Sequence, residues 1–591
     1  MNAQCHSTTG TVTSGEYAFA DTFDPWMWFS DSHSFFCTDP GSKMSSFMTQ
    51  KSVRPFRLRW LGKVRYRDAL AVQRAICSHS FADYLLLLEH HPVYTLGNRA
   101  SLENLLTVPS EVGAEIEQSD RGGDVTFHGP GQLVGYPLLH LPGKRGGGMA
   151  DTAAYVDSIE SLLIQVCEDL GLKDVGRLTR YPGVWVNPSG DNPRKIAAIG
   201  VRISRARSMH GFALNVNCDL SYFSHMIPCG IKEYGVTSLA LEGVEVDMTD
   251  VIDRVAEHSV NLWAKGPVDR AYVSQESPLF QLDSSKFGKG FDEEVLPGRK
   301  PKWMKVTLET GPQYRHLKKI IRENNLNTVC EEAGCPNIFD CWNEGTATFM
   351  INGDRCTRAC GFCQVDTRKP VVLDEDEPWR VAEAISVMGL KHAVVTSVAR
   401  DDLADGGASA FAATVLAIRK KNPATTVEVL IPDCKGDPES LEKIFAVKPD
   451  VLNHNIETVA RLQRQVRPSA GYARSLSVLA RASKADLTTK SSIIVGLGER
   501  DDEVESCLAD LAAVDCDIVT IGQYLQPTDN HLPIDRWVEP KLFERWHEIG
   551  EELGITHVEA GPLTRSSYHA QESVKMVLKN TELTEVKIRS G

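Results

Sequence analysis

Residues 327–363 read NTVCEEAGCPNIFDCWNEGTATFMINGDRCTRACGFC and hold six of the fifteen cysteines in the chain. The spacing is Cys330-x4-Cys335-x5-Cys341, then fourteen residues, then Cys356-x3-Cys360-x2-Cys363. Three thiolates on an iron–sulfur cube leave one iron open, and an open iron can hold a small molecule by its amino and carboxylate groups. The first triplet, Cys330, Cys335 and Cys341, poses the same problem and needs a fourth ligand from elsewhere in the chain. Structural zinc favours paired knuckles with four protein ligands, and only Cys360 and Cys363 resemble a knuckle. A disulfide framework belongs to small secreted chains. The pattern therefore predicts two iron–sulfur clusters, with zinc as the weaker alternative.

Working outward, the chain of 591 residues is long enough for two or more domains, each with its own core. Its net charge of −14 argues against a nucleic-acid partner, because an acidic surface repels phosphates. No apolar run approaches the roughly 18–20 residues of a membrane span, and the longest, residues 84–88, is strand-sized. Cluster ligands must be free thiolates, so a reducing, cytoplasmic location is expected. Residues 1–50 read as a poorly ordered extension. They carry Glu16, Asp21, Asp24, Asp31 and Asp39 against Lys43, unlike an Arg-rich transit peptide. No signal peptide is recognisable, and Met44 and Met48 are alternative starts to Met1.

Residues 51–262 form the first predicted domain. A helical pattern covers 65–80 and a buried strand 84–95, followed by RGGDVTFHGPGQLVGYP at 121–137. Glycines there let a backbone come close to a ligand, although the run lacks the G-x-x-x-x-G-K-[ST] of a phosphate loop. PGVWV (182–186), KIAAIGVRISR (195–205) and MHGFALNVN (209–217) read as successive strands, and IPCGI (227–231) follows. Residues 263–300 are rich in Gly, Pro, Ser and charge and read as a linker of about forty residues.

The second domain, 301–591, opens with a helix over 313–325. Short β-rich runs then alternate with helical ones: strands at 346–351, 393–398, 426–432, 451–456, 491–497, 518–525 and 557–561, with helices such as 378–390, 409–420 and 540–553. This is the repeat of a parallel (β/α) barrel. In such barrels the chemistry sits at the C-terminal strand ends, and Cys356, Cys360 and Cys363 lie in the loop after the first strand. Asp401, Asp402 and Asp405 in DDLADGG have two readings: a solvated helix start, where acids are common, or groups facing a cationic ligand. Ser566 and Ser567 are by default turn or cap residues.

The run 327–363, with TSVARDDLADGGA (396–408), NHNIET (453–458), SSIIVGLGE (491–499) and RSSYHA (565–570), closely resembles lipoyl synthase, a radical S-adenosylmethionine enzyme. The resemblance covers roughly 300–580 and implies a partial six-unit barrel. It also implies a radical cluster on Cys356, Cys360 and Cys363 that binds S-adenosylmethionine, and an auxiliary 4Fe-4S cluster on Cys330, Cys335 and Cys341, completed by Ser567. The implied reaction inserts two sulfurs at C6 and C8 of an octanoyl chain, fed by an electron donor such as ferredoxin or flavodoxin.

The N-terminal runs together resemble octanoyl-[acyl-carrier-protein]:protein octanoyltransferase over roughly 54–262, with the α/β fold of biotin- and lipoate-protein ligases. The resemblance places a catalytic pair on Cys229, in IPCG, and Lys195, in KIAAIG. It implies substrate-binding positions at Arg121, Gly122, Gly123, Asp124, Val125, Thr126, Phe127 and His128, at Ala198, Ile199 and Gly200, and at Gly211, Phe212 and Ala213. A thiolate attacks an acyl thioester, but a free thiol with pKa near 8.5 is mostly protonated at neutral pH. A nearby ammonium favours the thiolate and can pass protons in both half-reactions. Cys77, Cys167, Cys218, Cys434, Cys507 and Cys516 have no such context and read as structural.

The expected whole is an α/β enzyme carrying two consecutive steps of protein lipoylation. Its partners would be octanoyl-acyl carrier protein and the lipoyl domains of 2-oxoacid dehydrogenase E2 subunits and glycine cleavage H protein. Three alternatives stand beside it: an ATP-dependent lipoate ligase in the first half, a sulfur-inserting enzyme resembling biotin synthase in the second, and a non-catalytic iron–sulfur module.

Overall fold

The computed structural model describes residues 53–141, 143, 150–227, 233–271, 300–304, 312–323, 326–328, 337–343, 346–573 and 576. The extension 1–50, most of the linker and Cys229, Cys330 and Cys335 lie outside them.

The first domain is organised on a nine-stranded mixed sheet. Its strand order is Val268–Ala271, Phe56–Val64, Asp83–His90, Gln132–Leu138, Arg207–Asn215, Arg194–Ser204, Tyr181–Val186, Val175–Leu178, with Gly235–Val236 beside Arg194–Ser204. The run LLLL at 85–88 is buried throughout because the central strand is covered on both faces. Helices Thr152–Asp169 and Met248–Trp263 pack their apolar stripes, including Ile159, Leu163, Val251 and Val255, on one face. Helix Tyr66–His79 covers the other.

Two sequence expectations change here. The single strand predicted over 84–95 is two strands, Asp83–His90 and Val93–Leu96. Pro92 intervenes with no N–H to continue a ladder, and the second piece joins Glu115–Gln118 and Val125–His128 in a small separate sheet. The linker predicted over 263–300 also begins later. Val268–Ala271 pairs in parallel with Phe56–Val64 and completes the edge of the large sheet.

In the second domain, seven parallel strands run in chain order: Thr346–Ile351, His392–Ser397, Thr426–Leu430, Val451–Asn453, Thr489–Val495, Ile518–Gln523 and His557–Gly561. Asn327–Thr328 adds an antiparallel edge. The sheet is the open barrel expected from the alternation, one strand longer than six units. Helices Glu377–Met388, Ala408–Lys421 and Pro540–Glu552 fall where the periodicity puts them.

The two halves share a core, which a flexible tether does not anticipate. Helix Tyr66–His79 packs on Tyr472–Lys484 and Asp501–Ala513, so that Val72, Ala75 and Ile76 belong to one apolar cluster with Leu476, Leu479 and Leu508. Each fully buried Val, Leu or Ile there contributes about 1.5–3 kcal/mol. Polar groups cross the same interface. The Arg59 guanidinium, 1 % exposed, meets Asp510 at 2.9 Å and Asp269 at 2.7 Å. Tyr472 donates to Asp510 at 3.0 Å and Ser506 to Asp269 at 2.7 Å. Both carboxylates hold Arg59 firmly cationic against the burial that opposes its charge.

Candidate active sites

The strands of the second domain end around a cavity of about 410 Å³, whose rim carries Cys356, Cys360 and Cys363. Its walls come from successive strand ends: Thr348 and Met350, Thr396, Leu430, His454 and Glu457, Ser492, and Gly522 to Tyr524. The cysteine loop is tied down by backbone. Cys356 N–H donates to Asp366 O at 2.7 Å, Thr357 N–H to Ala399 O at 3.0 Å, and Gly361 N–H to Val466 O at 2.9 Å. Gly361 has a steric reason to be glycine: a Cβ there would stand 2.7 Å from Leu532 Cδ1.

The Cys356 sulfur accepts the backbone N–H of Arg358 at 3.4 Å and of Ala399 at 3.3 Å. Burial pushes the Cys360 thiol up to about 11 and raises Cys363 as well, so thiolates there require a cation to compensate them. Among the described residues no three His, Cys, Asp or Glu side chains converge where a single metal ion would sit. Thiolates on three different irons of a cube stand wider apart than three on one ion. Half-buried sulfurs on one loop at a roomy cavity fit a cluster.

Cys341 lines the same cavity from the short helix Ile338–Asn343, and Ser567 lines it from the turn after the last strand. Asn337 fastens the two together, donating to Leu563 O at 2.7 Å. Gly522 lets that turn lie against its strand, since a Cβ would stand 2.0 Å from Thr564 O. Five of the seven proposed cluster ligands thus face one cavity, and the other two, Cys330 and Cys335, lie outside the described residues.

The acids of DDLADGG do not line this cavity. Asp401 receives Arg358 in two bonds of 2.7 and 2.8 Å, Asp402 pairs with Arg400 at 2.9 Å, and Asp405 accepts the N–H groups of Gly407 and Ser409 at a helix start. Their charge is spent on structure. Sequence reasoning missed other groups instead. Glu457, at φ +65°, and Arg467 both line the cavity. Burial raises the Glu457 carboxyl while the Arg467 cation opposes the rise. The run NHNIET contained Glu457, but nothing in its spacing singled it out.

The first domain holds a tighter cavity of about 50 Å³. It gathers Arg121, Gly122, Gly123, Thr126, His128, Ala198, Ile199, Gly200, Gly211, Phe212 and Ala213, all expected to bind substrate. Backbones close in on it. A Cβ on Gly211 would stand 2.1 Å from Gly135 O, and one on Gly200 3.0 Å from Gly122 O. Three expected positions do not line it: Val125 and Phe127 are core residues, and Asp124 binds Ser101 N at 3.2 Å and caps its own strand at Val125 N. Arg121 also has a structural duty, donating to Thr95 O at 2.7 Å.

Tyr66, Tyr136 and His210 complete the lining; Tyr136 and His210 lie inside the runs 121–137 and 209–217 without being singled out there, and Tyr66 lies outside them. His90 Nδ1 faces Val64 O at 2.8 Å, so it carries the proton and Nε2 accepts from Tyr136 at 2.7 Å. Burial lowers His90 to about 4, leaving a neutral imidazole; burial lowers His210 too, although its Nε2 faces the Asp120 carboxylate at 2.7 Å. Lys195 is buried on the strand that supplies Ala198–Gly200. Its ammonium donates to Pro182 O at 3.2 Å and lies 4.8 Å over the Trp185 ring. Cys229 is outside the described residues; the loop leading to it is anchored by Ile227 N–H on Asn104 O at 2.8 Å. Cys167, Cys218, Cys434 and Cys507 are buried, with thiols pushed up to about 12. Cys516 is buried and raised too, and half-buried Cys77 reaches about 11.

Comparison with known proteins finds matches in both halves of the chain. Residues 65–260 match the lipoyl protein ligase A/B catalytic domain, 259–335 the N-terminal domain of lipoyl synthase of the radical SAM family, and 350–511 the radical SAM superfamily. A lipoyl synthase of Mycobacterium avium is 55% identical over 272 residues, 46% of this chain and 89% of that protein. One of Nocardia farcinica is 53% identical over 272 residues, 46% of this chain and 77% of that protein. A bipartite lipoate protein ligase from Thermoplasma acidophilum superposes with a TM-score of 0.31 at 17% identity, covering 37% of this chain and 88% of that one.

Proposed function

Because the chain belongs to the lipoyl synthase family and carries a lipoyl protein ligase A/B catalytic domain ahead of that portion, we propose that it performs both steps of protein lipoylation in sequence. The first domain takes octanoyl from acyl carrier protein onto Cys229 as a thioester and passes it to a lysine of a lipoyl-carrier domain. The second, 301–591, converts that octanoyl arm to lipoyl. The acceptors are lipoyl domains such as those of 2-oxoacid dehydrogenase E2 subunits and glycine cleavage H protein. The setting is the reducing cytoplasm. The observation that carries the reading is the convergence of Cys356, Cys360, Cys363, Cys341 and Ser567 on one cavity.

In the first step the attacking sulfur needs a base and the departing thiol an acid, and Lys195 serves as both. The close-packed glycine backbones of the small cavity hold the acyl chain, beside the Arg121 side chain that also lines it. In the second domain Cys356, Cys360 and Cys363 hold one 4Fe-4S cluster, and Cys330, Cys335, Cys341 and Ser567 hold another. What the bound groups supply is one-electron reduction of S-adenosylmethionine, fed by a ferredoxin or flavodoxin, and the two sulfur atoms. Glu457 and Arg467 give the cavity wall one negative and one positive side chain, matching the sulfonium and carboxylate of that ligand. The backbone donors to Cys356 hold its sulfur in place, and the apolar strand ends exclude water from the acyl arm.

The match to a ligase A/B domain keeps one second reading in view, an ATP-dependent ligase acting on free acid. Incubation with octanoyl-acyl carrier protein, without ATP and without lipoyl domain, separates the two. The proposal expects a hydroxylamine-labile octanoyl group on the peptide containing Cys229. Acylation elsewhere, or only with ATP and octanoate, contradicts it.

A further inference from the structure

The interface between the halves reaches the cysteine loop. After strand Thr426–Leu430 the chain turns through Asp433, Cys434, Lys435 and Gly436. Cys434 and Lys435 are consecutive non-glycine residues in left-handed conformation, at φ 44° and 54°, followed by Gly436 at 69°. Such a turn persists only where its surroundings over-determine it. On the barrel side, fully buried Asp433 accepts Arg358 at 2.6 Å and Arg474 at 3.3 Å. Arg358 lies between Cys356 and Cys360, and Lys435 Nζ donates to the backbone of Asp401, the other carboxylate on Arg358, at 2.6 Å.

The opposite side of this turn is held by the transferase domain. Arg65 donates to Lys435 O at 3.1 Å. Asp68, buried on helix Tyr66–His79, accepts Arg481 at 2.9 Å and Ser477 at 3.1 Å, and Arg481 donates onward to Gly436 O at 2.8 Å. The fit is close enough that a Cβ on Gly436 would stand 3.1 Å from both Asp68 carboxylate oxygens. Two chains of contact therefore join the first domain to the cysteine loop, one through Arg65, Lys435 and Asp401, the other through Asp68, Arg481 and the 433–436 turn.

We propose that Arg65 and Asp68 of the transferase domain are positioning residues for the sulfur-inserting domain, bracing the turn that holds Arg358 in the Cys356–Cys363 loop. This rests on the reading that those cysteines hold the radical cluster.

The test uses full-length Arg65→Ala and Asp68→Ala. Arg65 is only partly buried, so its variant folds even if loss of Asp68 disturbs the core. Backbone hydrogen exchange in the metal-free proteins should quicken at 433–437 and 356–363, by about three- to ten-fold, with the rest of the map unchanged. In the loaded proteins, S-adenosylmethionine cleavage should fall by a similar factor while octanoyl transfer stays within about two-fold. Unchanged exchange and unchanged cleavage in both variants would overturn the proposal. A wild-type chain that cleaves no S-adenosylmethionine would instead remove the reading of the cysteines, and the exchange maps would still decide the brace.

Discussion

The two cavities are built in opposite ways. The barrel cavity, about 410 Å³, lies within the usual range for ligand sites and is lined by three cysteines within eight residues of sequence. The transferase cavity, about 50 Å³, is far smaller and is assembled from segments near 66, 121–128, 136, 198–200 and 210–213. Bound cofactors that carry hard chemistry need a compact set of ligands and room around it. An acyl group needs backbone that comes close from several sides, which only tertiary structure supplies.

Exchanging single residues should separate these regions completely. Cys356→Ala, Cys360→Ala or Cys363→Ala is expected to abolish S-adenosylmethionine cleavage while octanoyl transfer continues. Cys229→Ala should do the reverse, stopping transfer but leaving sulfur insertion into a pre-octanoylated lipoyl domain intact. Within the barrel, Cys341→Ala should leave cleavage possible and stop lipoyl formation. Lipoyl product from Cys341→Ala would refute the division of labour between the two triplets.

The separation in chemistry contrasts with union in folding. Asp510→Ala removes a partner of the buried Arg59 cation in the shared core, which typically costs about 3–5 kcal/mol. Denaturant unfolding followed by a probe in each half should show both transitions moving together. If only the barrel transition moved, the halves would be separate cooperative units.

A smaller effect, common to both halves, depends on pH. His90 and His210 in the first domain are lowered to about 4 and 3, and His454 in the second to about 4, all chiefly by burial. Each folded value lies below the unfolded 6.5, so the unfolded chain binds the proton first on acidification. Stability is therefore full above about pH 6.5 and falls as pH drops toward 4, by up to about 1.4 kcal/mol per pH unit for each imidazole. His90→Gln or His210→Gln should flatten that slope by one proton, measured as denaturation midpoint against pH.

The sequence was most legible where information is local. The loop of Cys356, Cys360 and Cys363, the strand alternation after residue 346 and most of the glycine-rich run line or build the cavities where the sequence puts them. It was least legible where distant segments meet. No pattern in Tyr66, Tyr136 or His210 marks them as neighbours of one cavity. The composition of 263–300 looked like linker, yet Val268–Ala271 gains a strand partner in Phe56–Val64 that no local pattern reveals. Helix Tyr66–His79 was visible as a helical pattern, but its contact with Tyr472–Lys484 lies some four hundred residues along the chain. Of the two readings open for the acids of 401–405, Asp405 takes the helix-start one, while the arginine partners of Asp401 and Asp402 are fixed by folding.

The most direct test of the central claim is one reaction with the intact, reconstituted chain. Octanoyl-acyl carrier protein, apo lipoyl domain, S-adenosylmethionine and a reductant are combined anaerobically, and the lipoyl domain is weighed by mass spectrometry. The account predicts successive mass increments for octanoyl and then lipoyl on the same domain, with 5′-deoxyadenosine released. A domain that gains octanoyl and never sulfur, or that stays unmodified, would contradict it.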